Sequence, residues 1–117
     1  MKKIDTKKAP AAIGPYSQAF EINGVVYTSG QLPVNPADNS MPETIEEQTK
    51  QSCENVKAVL EEAGISLDNV FKTTCFYQIC LTLQHLMKFM QNILYLNLRE
   101  VVLLSKNYQK ALCVKLK

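Results

Sequence analysis

The sequence predicts an α+β fold, with helices laid on one face of a sheet. Three observations carry that expectation. Asn23-Gly24 separates two short strand-like runs, the pattern of a two-residue hairpin. A capped amphipathic segment follows over residues 44–63. A short apolar run, Val70–Phe76, comes after it and reads as a buried strand. Hairpin, helix and strand in that order suggest one α+β sandwich.

Taken in order, PAAIGPYSQAF opens on the turn formers Pro10, Gly14 and Pro15 and enters a strand expected over Tyr16–Ile22. Val25-Val26-Tyr27-Thr28-Ser29 is the returning strand, rich in β-branched residues. Gly30 ends it or lets another backbone come close. Three prolines and an Asp-Asn-Ser cluster make residues 33–42 a loop. Thr44 followed by Glu47 is a capping box. Ile45, Thr49, Ser52, Val56, Val59, Leu60 and Ala63 then recur on one helical face. Glu46 and Lys50 stand four apart on the wet side, and Gly64 is the stop.

At 117 residues the chain is expected to be a single domain, residues 1–117, with oligomerisation a fair expectation at this size. Thirteen basic residues against 11 acidic, net +2, are too balanced for a nucleic-acid partner or an acidic membrane. The basic start has no apolar stretch after it and no run reaches membrane-span length, so a cytoplasmic, reducing location is expected. Cys53, Cys75, Cys80 and Cys113 show no CxxC spacing, and free, mostly buried thiols are expected. His85 is the only histidine and has no acidic neighbour, a poor basis for a metal site or a triad.

The strings APAAIGPYSQA, YTSGQLPVNP, EEQTKQSCENVKAVLEEAG and VFKTTCF resemble the RidA/YjgF family of reactive-intermediate deaminases in order and spacing, over residues 1–76. The resemblance implies a chorismate-mutase-like sheet with two helices on one face. It also implies a homotrimer whose sheets form a central barrel, with active sites between subunits. The implied reaction is hydrolysis of 2-iminobutanoate and 2-iminopropanoate to 2-oxo acids and ammonia, without cofactor or metal. Tyr16 and Ser29 match family pocket residues, and Gly30 matches a position whose backbone lines the pocket. Taken alone, Tyr16 is a strand tyrosine with its hydroxyl at the surface, and Ser29 an ordinary strand-end hydroxyl. Only the string match turns them into site candidates.

Residues 77–117 depart from the family. The resemblance implies a helix like DFAxxNEVY, a strand with KPARSC and a strand with EIEVIA, and none of these is present. The KPARSC arginine would bind the substrate carboxylate with its planar fork, and the first EIEVIA glutamate would orient the water. Arg99 is the nearest residue to the missing arginine. Composition changes at the same place. All four glycines and all five prolines lie before residue 65. The last 41 residues hold six basic residues and one acid, Glu100, against seven and ten in residues 1–76. At average usage of roughly 7% Gly and 5% Pro, a segment that long should contain several of each.

A one-base slip of the reading frame after Phe76 accounts for this. The Met87 codon ends in G and Lys88 begins AA, which forces glutamate in the neighbouring frame. Met90 followed by Gln91 forces alanine. Both fall where LSDMSDFAAFNEVYAKYF requires them. Residues 98–102 regroup to a reading compatible with PARSC, its arginine straddling the codons of Arg99 and Glu100. Residues 107–117 regroup to a reading compatible with ELPKGALCEIE, and a stop is expected directly after Lys117. The family pattern then implies a helix near residues 81–94 and strands near 99–107 and 111–117.

The expected function is therefore imine deamination of a small imino acid by a homotrimer, with no cofactor, nucleic acid or membrane. As it stands the chain lacks the arginine and the glutamate. One alternative is the endoribonuclease or translation-inhibitor activity often ascribed to this family, which the balanced charge disfavours. Another is a non-catalytic trimeric ligand-binding protein.

Overall fold

The computed structural model describes the backbone of residues 1–77, 101–105 and 113–116, and the side chains of residues 1–44 and 46–73. The expected helix near 81–94 lies outside the described residues, as do Arg99, Cys80 and His85.

Two three-stranded sheets make up the described framework. In the first, β1 (Lys2–Ile4), β2 (Ala19–Ile22) and β3 (Val25–Thr28) run antiparallel in that order. In the second, β4 (Thr73–Tyr77) is central, with β5 (Val101–Ser105) parallel on one side and β6 (Cys113–Leu116) antiparallel on the other. The single described α-helix, α1 (Ile45–Glu62), lies against β3 and β6, and β3 also comes near β6. This is the expected α+β arrangement, and β5 and β6 fall within the two spans expected for the tail.

Asn23 and Gly24 turn the β2–β3 hairpin with φ of 51° and 78°, so Ile22 pairs with Val25. Positive φ at both positions is what a type I′ turn demands, and its twist matches that of the strands. The register puts Ala19 opposite both Ile4 and Thr28. Alternation then divides the sheet. Ile4, Ala19 and Val26 face the helix and pack with Ala9 and Val59, while Phe20, Ile22, Val25 and Tyr27 share the other face.

Two boundaries differ from expectation. The strand expected from Tyr16 starts only at Ala19, because the Tyr16 amide folds back onto the Gly14 carbonyl at 2.8 Å. The strand expected from Val70 starts at Thr73, because Leu67–Asn69 form a 3-10 turn that carries the chain to Val70. β1 was not expected at all. Its three residues belong to the basic start of the sequence, and only pairing with β2 makes them a strand.

Helix α1 follows its sequence grammar. The Thr44 hydroxyl accepts the Glu47 amide at 3.3 Å, and Glu46 and Glu47 lie at the positive end of the dipole. At the other end Gly64, φ +77°, donates to Glu61 O, and Ile65 donates to Leu60 O, both at 3.0 Å. That bond pair is a Schellman stop. Thr49, Ser52, Val56, Val59 and Leu60 are buried as the periodicity requires, and so are Cys53, which is in no disulfide, and Asn55. Glu46 and Lys50 are both exposed, and the surface pair that closes on this helix is Lys57–Glu61 at 3.9 Å.

A Cβ on Gly64 would meet nothing within 4 Å, so its cost is conformational and not steric. Gly64→Ala is expected to lower stability by about 1 kcal/mol, and Gly64→Asn by less, measured from urea midpoints. Equal midpoints for wild type and Gly64→Ala would show that the left-handed stop does not matter.

Candidate active site

Tyr16, Ser29 and Gly30 come from two chain segments that meet where β2 begins and β3 ends. Tyr16 leaves the Gly14-Pro15 bend with its side chain half exposed. The Ser29 hydroxyl donates to Ser17 O at 2.5 Å, and the Ser29 amide donates to Gln18 O at 2.9 Å. These bonds hold Ser29 beside the Tyr16–Gln18 segment just beyond the last strand pair, Ala19–Thr28. Gly30 follows half-buried, and the buried Gln31 turns its amide back to Ser29 O at 3.3 Å. The structure thus brings the three candidates together, while Arg99 lies outside the described residues.

The framework behind them rests on side-chain amides. Gln18 is 1% exposed. Its Oε1 accepts the Thr6 amide at 2.6 Å, and its Nε2 donates to Thr6 O at 3.0 Å and Pro10 O at 2.9 Å, with a longer contact to Ala9 O at 3.4 Å. One carboxamide therefore satisfies a stretch that has no strand partner of its own. Asn55, also 1% exposed, donates from Nδ2 to Leu32 O and to Val34 O, each at 2.9 Å. The sequence reading passed over both. Gln18 lay inside a family string without a role of its own. Asn55 had a usable signal, since it stands three residues from Ser52 and four from Val59 on the buried side of α1.

The loop beyond Val34 is braced by its own side chains. Asn35 Oδ1 accepts the Ala37 amide at 2.9 Å. The Ser40 hydroxyl and amide donate to Asp38 at 2.6 and 2.9 Å and hold its pKa below the ordinary carboxylate range. The stabilisation from that lowered pKa is present above the unfolded value and is lost as pH falls through the folded one. Between this loop and residues 5–11 lies an open groove of about 470 Å³, lined by Lys7, Pro10, Pro36 and Asn39 among others, and by none of the candidates. Among the described residues no His, Cys, Asp and Glu group is arranged to hold a metal, and no helix is long and apolar enough to cross a membrane.

A family model described as Endoribonuclease L-PSP matches residues 6–100. A RutC family protein of Haemophilus influenzae is 55% identical over 73 residues, which cover 62% of this chain and 56% of that protein. The 2-iminobutanoate/2-iminopropanoate deaminase of Escherichia coli K12 is 47% identical over 75 residues, 64% of this chain and 59% of that protein. The matched segment thus spans less than two thirds of the length of either relative. The crystal structure of the YjgF gene product of E. coli superposes with a TM-score of 0.88 over 98% of this chain and 95% of that one, at 30% identity. The superposition thus covers 98% of this chain, and the match to the deaminase 64% of it.

Gln18→Leu removes the amide and leaves one N–H and several carbonyls of residues 6–10 unpartnered. The expected loss is about 3 kcal/mol, with faster amide exchange at Thr6, both read on the purified protein. A loss below about 1 kcal/mol would mean that water or a shifted backbone replaces the clamp.

Proposed function

This chain belongs to the endoribonuclease L-PSP family, the RidA/YjgF proteins, and we propose that it is built as an imine deaminase. What supports this reading is 47% identity over 75 residues to the E. coli deaminase, together with a family match over residues 6–100 that spans the Tyr16–Ser29–Gly30 corner and the helix bracing it. The substrate class is a small 2-imino acid. Water adds to the C=N carbon, the carbinolamine loses ammonia, and a 2-oxo acid remains. The imine is already electrophilic, so orientation and hydrogen bonding are enough to speed the step. The Tyr16 and Ser29 hydroxyls and the backbone at Gly30 shape the pocket wall. No metal or cofactor is required.

The site is completed by a homotrimer, with pockets between subunits. Two features support this. Tyr16 is 50% exposed, an open half-site and not an enclosed pocket. The sheet face away from α1 leaves Ile22 at 40% and Tyr27 at 44% exposure, next to Phe20 and Val25. Apolar surface of that kind favours a protein partner.

The carboxylate-binding arginine and the water-orienting glutamate belong to the neighbouring reading frame after Phe76. Identity of 47–55% over 73–75 residues becomes 30% over nearly the whole chain, the dilution expected when the tail adds almost no identical positions. An endoribonuclease reading has the family description and the names of some similar solved structures behind it, against a charge of +2 that gives RNA little to bind.

The test couples a threonine dehydratase, which releases 2-iminobutanoate, to the protein. The frame-restored protein is expected to speed ammonia release and cut semicarbazide trapping, and the chain ending in Lys117 to do neither. Tyr16→Phe should lower kcat/KM of the frame-restored protein roughly tenfold, the worth of one hydrogen bond. No rate effect at micromolar protein would favour a ligand-binding role. Resequencing codons 74–80, with an intact mass of the native product, decides the frame. A mass matching the 117 residues as they stand would sink the frame proposal.

A further inference from the structure

We infer that Asn55, on helix α1, is a positioning residue for the site. It holds the backbone from Gly30 to Val34, and with it the pocket wall that the deaminase reading assigns to Gly30. The inference rests on that reading for its chemistry and on the hydrogen bonds for its geometry.

Asn55 has its whole carboxamide committed. Both Nδ2 hydrogens are used, one on Leu32 O and one on Val34 O, each at 2.9 Å. Oδ1 accepts from Gln51 Nε2, also at 2.9 Å. Turning the amide over would set its oxygen against two carbonyls and its NH2 against another NH2, so the orientation is fixed by the partners. Within residues 30–34, Gln31 has an isolated bridge and Pro33 is buried, while the Leu32 and Val34 carbonyls are the ones that Asn55 serves. Gly30 imposes no side-chain constraint, Pro33 has no N–H to donate, and the segment joins β3 to a loop. The anchoring side chain is itself 1% exposed. Ser29 is meanwhile fixed through Ser17 O and Gln18 O. Gly30 thus lies between anchored points, one just before β2 and one that runs through Leu32 and Val34 to α1. Losing the second removes the tie to α1 and leaves only Ser29 and the isolated bridge at Gln31. Helix α1 carries no reacting group in this scheme and acts on the site through a single side chain.

Asn55→Asp keeps the shape and replaces both donors. When neutral, the carboxyl can still donate one bond. When ionised, it faces Leu32 O and Val34 O with no proton to offer, so the effect must grow as pH rises. The purified native gene product is followed from pH 5 to 9, in its trimeric state if it forms one. In Asn55→Asp, exchange of the Asn35 amide, which shares a peptide group with Val34 O and donates to Ser40 O at 2.8 Å, should run tenfold or more faster than in wild type at the same high pH, with Gly64 and Ile65 matching wild type at each pH. KM for 2-iminobutanoate should rise at least tenfold over the same range, with kcat within about twofold. Gln51→Leu, at a half-buried position, is the milder control if Asn55→Asp does not fold. It should give a smaller change in the same direction without the pH dependence. Faster exchange with KM unchanged makes Asn55 merely structural and overturns the proposal, as does exchange that quickens equally at Gly64. A wild type that releases no ammonia counts against the deaminase reading alone. The exchange data then still decide whether Asn55 anchors Gly30–Val34, and unchanged exchange at Asn35 overturns it.

Discussion

The candidate site depends on one constraint: backbone that leaves the sheet and is buried must still find hydrogen-bond partners. Residues 6–10 and 32–34 both run beside the core outside the strands. Gln18 serves the first stretch and Asn55 the second, each from a side chain that is 1% exposed. Apolar side chains in those places would fill the space and leave the carbonyls bare. An unpaired buried carbonyl costs about 1–3 kcal/mol, comparable with burying a whole valine side chain. The corner bearing Tyr16, Ser29 and Gly30 is therefore held by amides, while Val56, Val59 and Leu60 supply the cohesion around them.

This division of labour explains the shape of the corner. A regular strand from Tyr16 to Ile22 would have satisfied its own backbone and sent the side chains alternately up and down. The bend at Gly14–Tyr16 instead leaves the tyrosine half exposed at the sheet's edge, and Gln18 is then free to turn inward. Ser29 locks the arrangement because its hydroxyl and its amide bond to successive carbonyls, Ser17 O and Gln18 O. Irregular backbone at the end of regular strands is a common place for a binding site, because polar groups there are not all spent on the ladder.

The tail separates fold from chemistry. Strands β5 and β6 lie where the family pattern implies strands, although the residues that fill them bear little likeness to the relatives. A strand needs only short apolar runs of roughly the right period, and Val101–Leu104 provides one. A guanidinium fork or a water-orienting carboxylate has no such tolerance, because a single atom group must stand in a single place. A tail without the family's strings can therefore keep the outline of a sheet.

What the sequence determined by itself was local and periodic. The Asn23-Gly24 turn, the Thr44 cap, the Gly64 stop and the buried stripe of α1 each depend on residues within a few positions of one another, and each is found. Tyr16, Ser29 and Gly30 were legible only through longer strings, since a strand tyrosine and a strand-end serine carry no signal of their own. Tertiary structure alone decided the rest. β1 exists because β2 offers it an edge, and β4 takes β5 and β6 on opposite sides in opposite directions. Gln18 and Asn55 became anchors because folding brought carbonyls 8 to 23 residues away within 2.9 Å of them. A polar residue within a buried pattern announces that it needs a partner. Which carbonyl answers depends on how distant segments close over it, and no spacing along the chain encodes that.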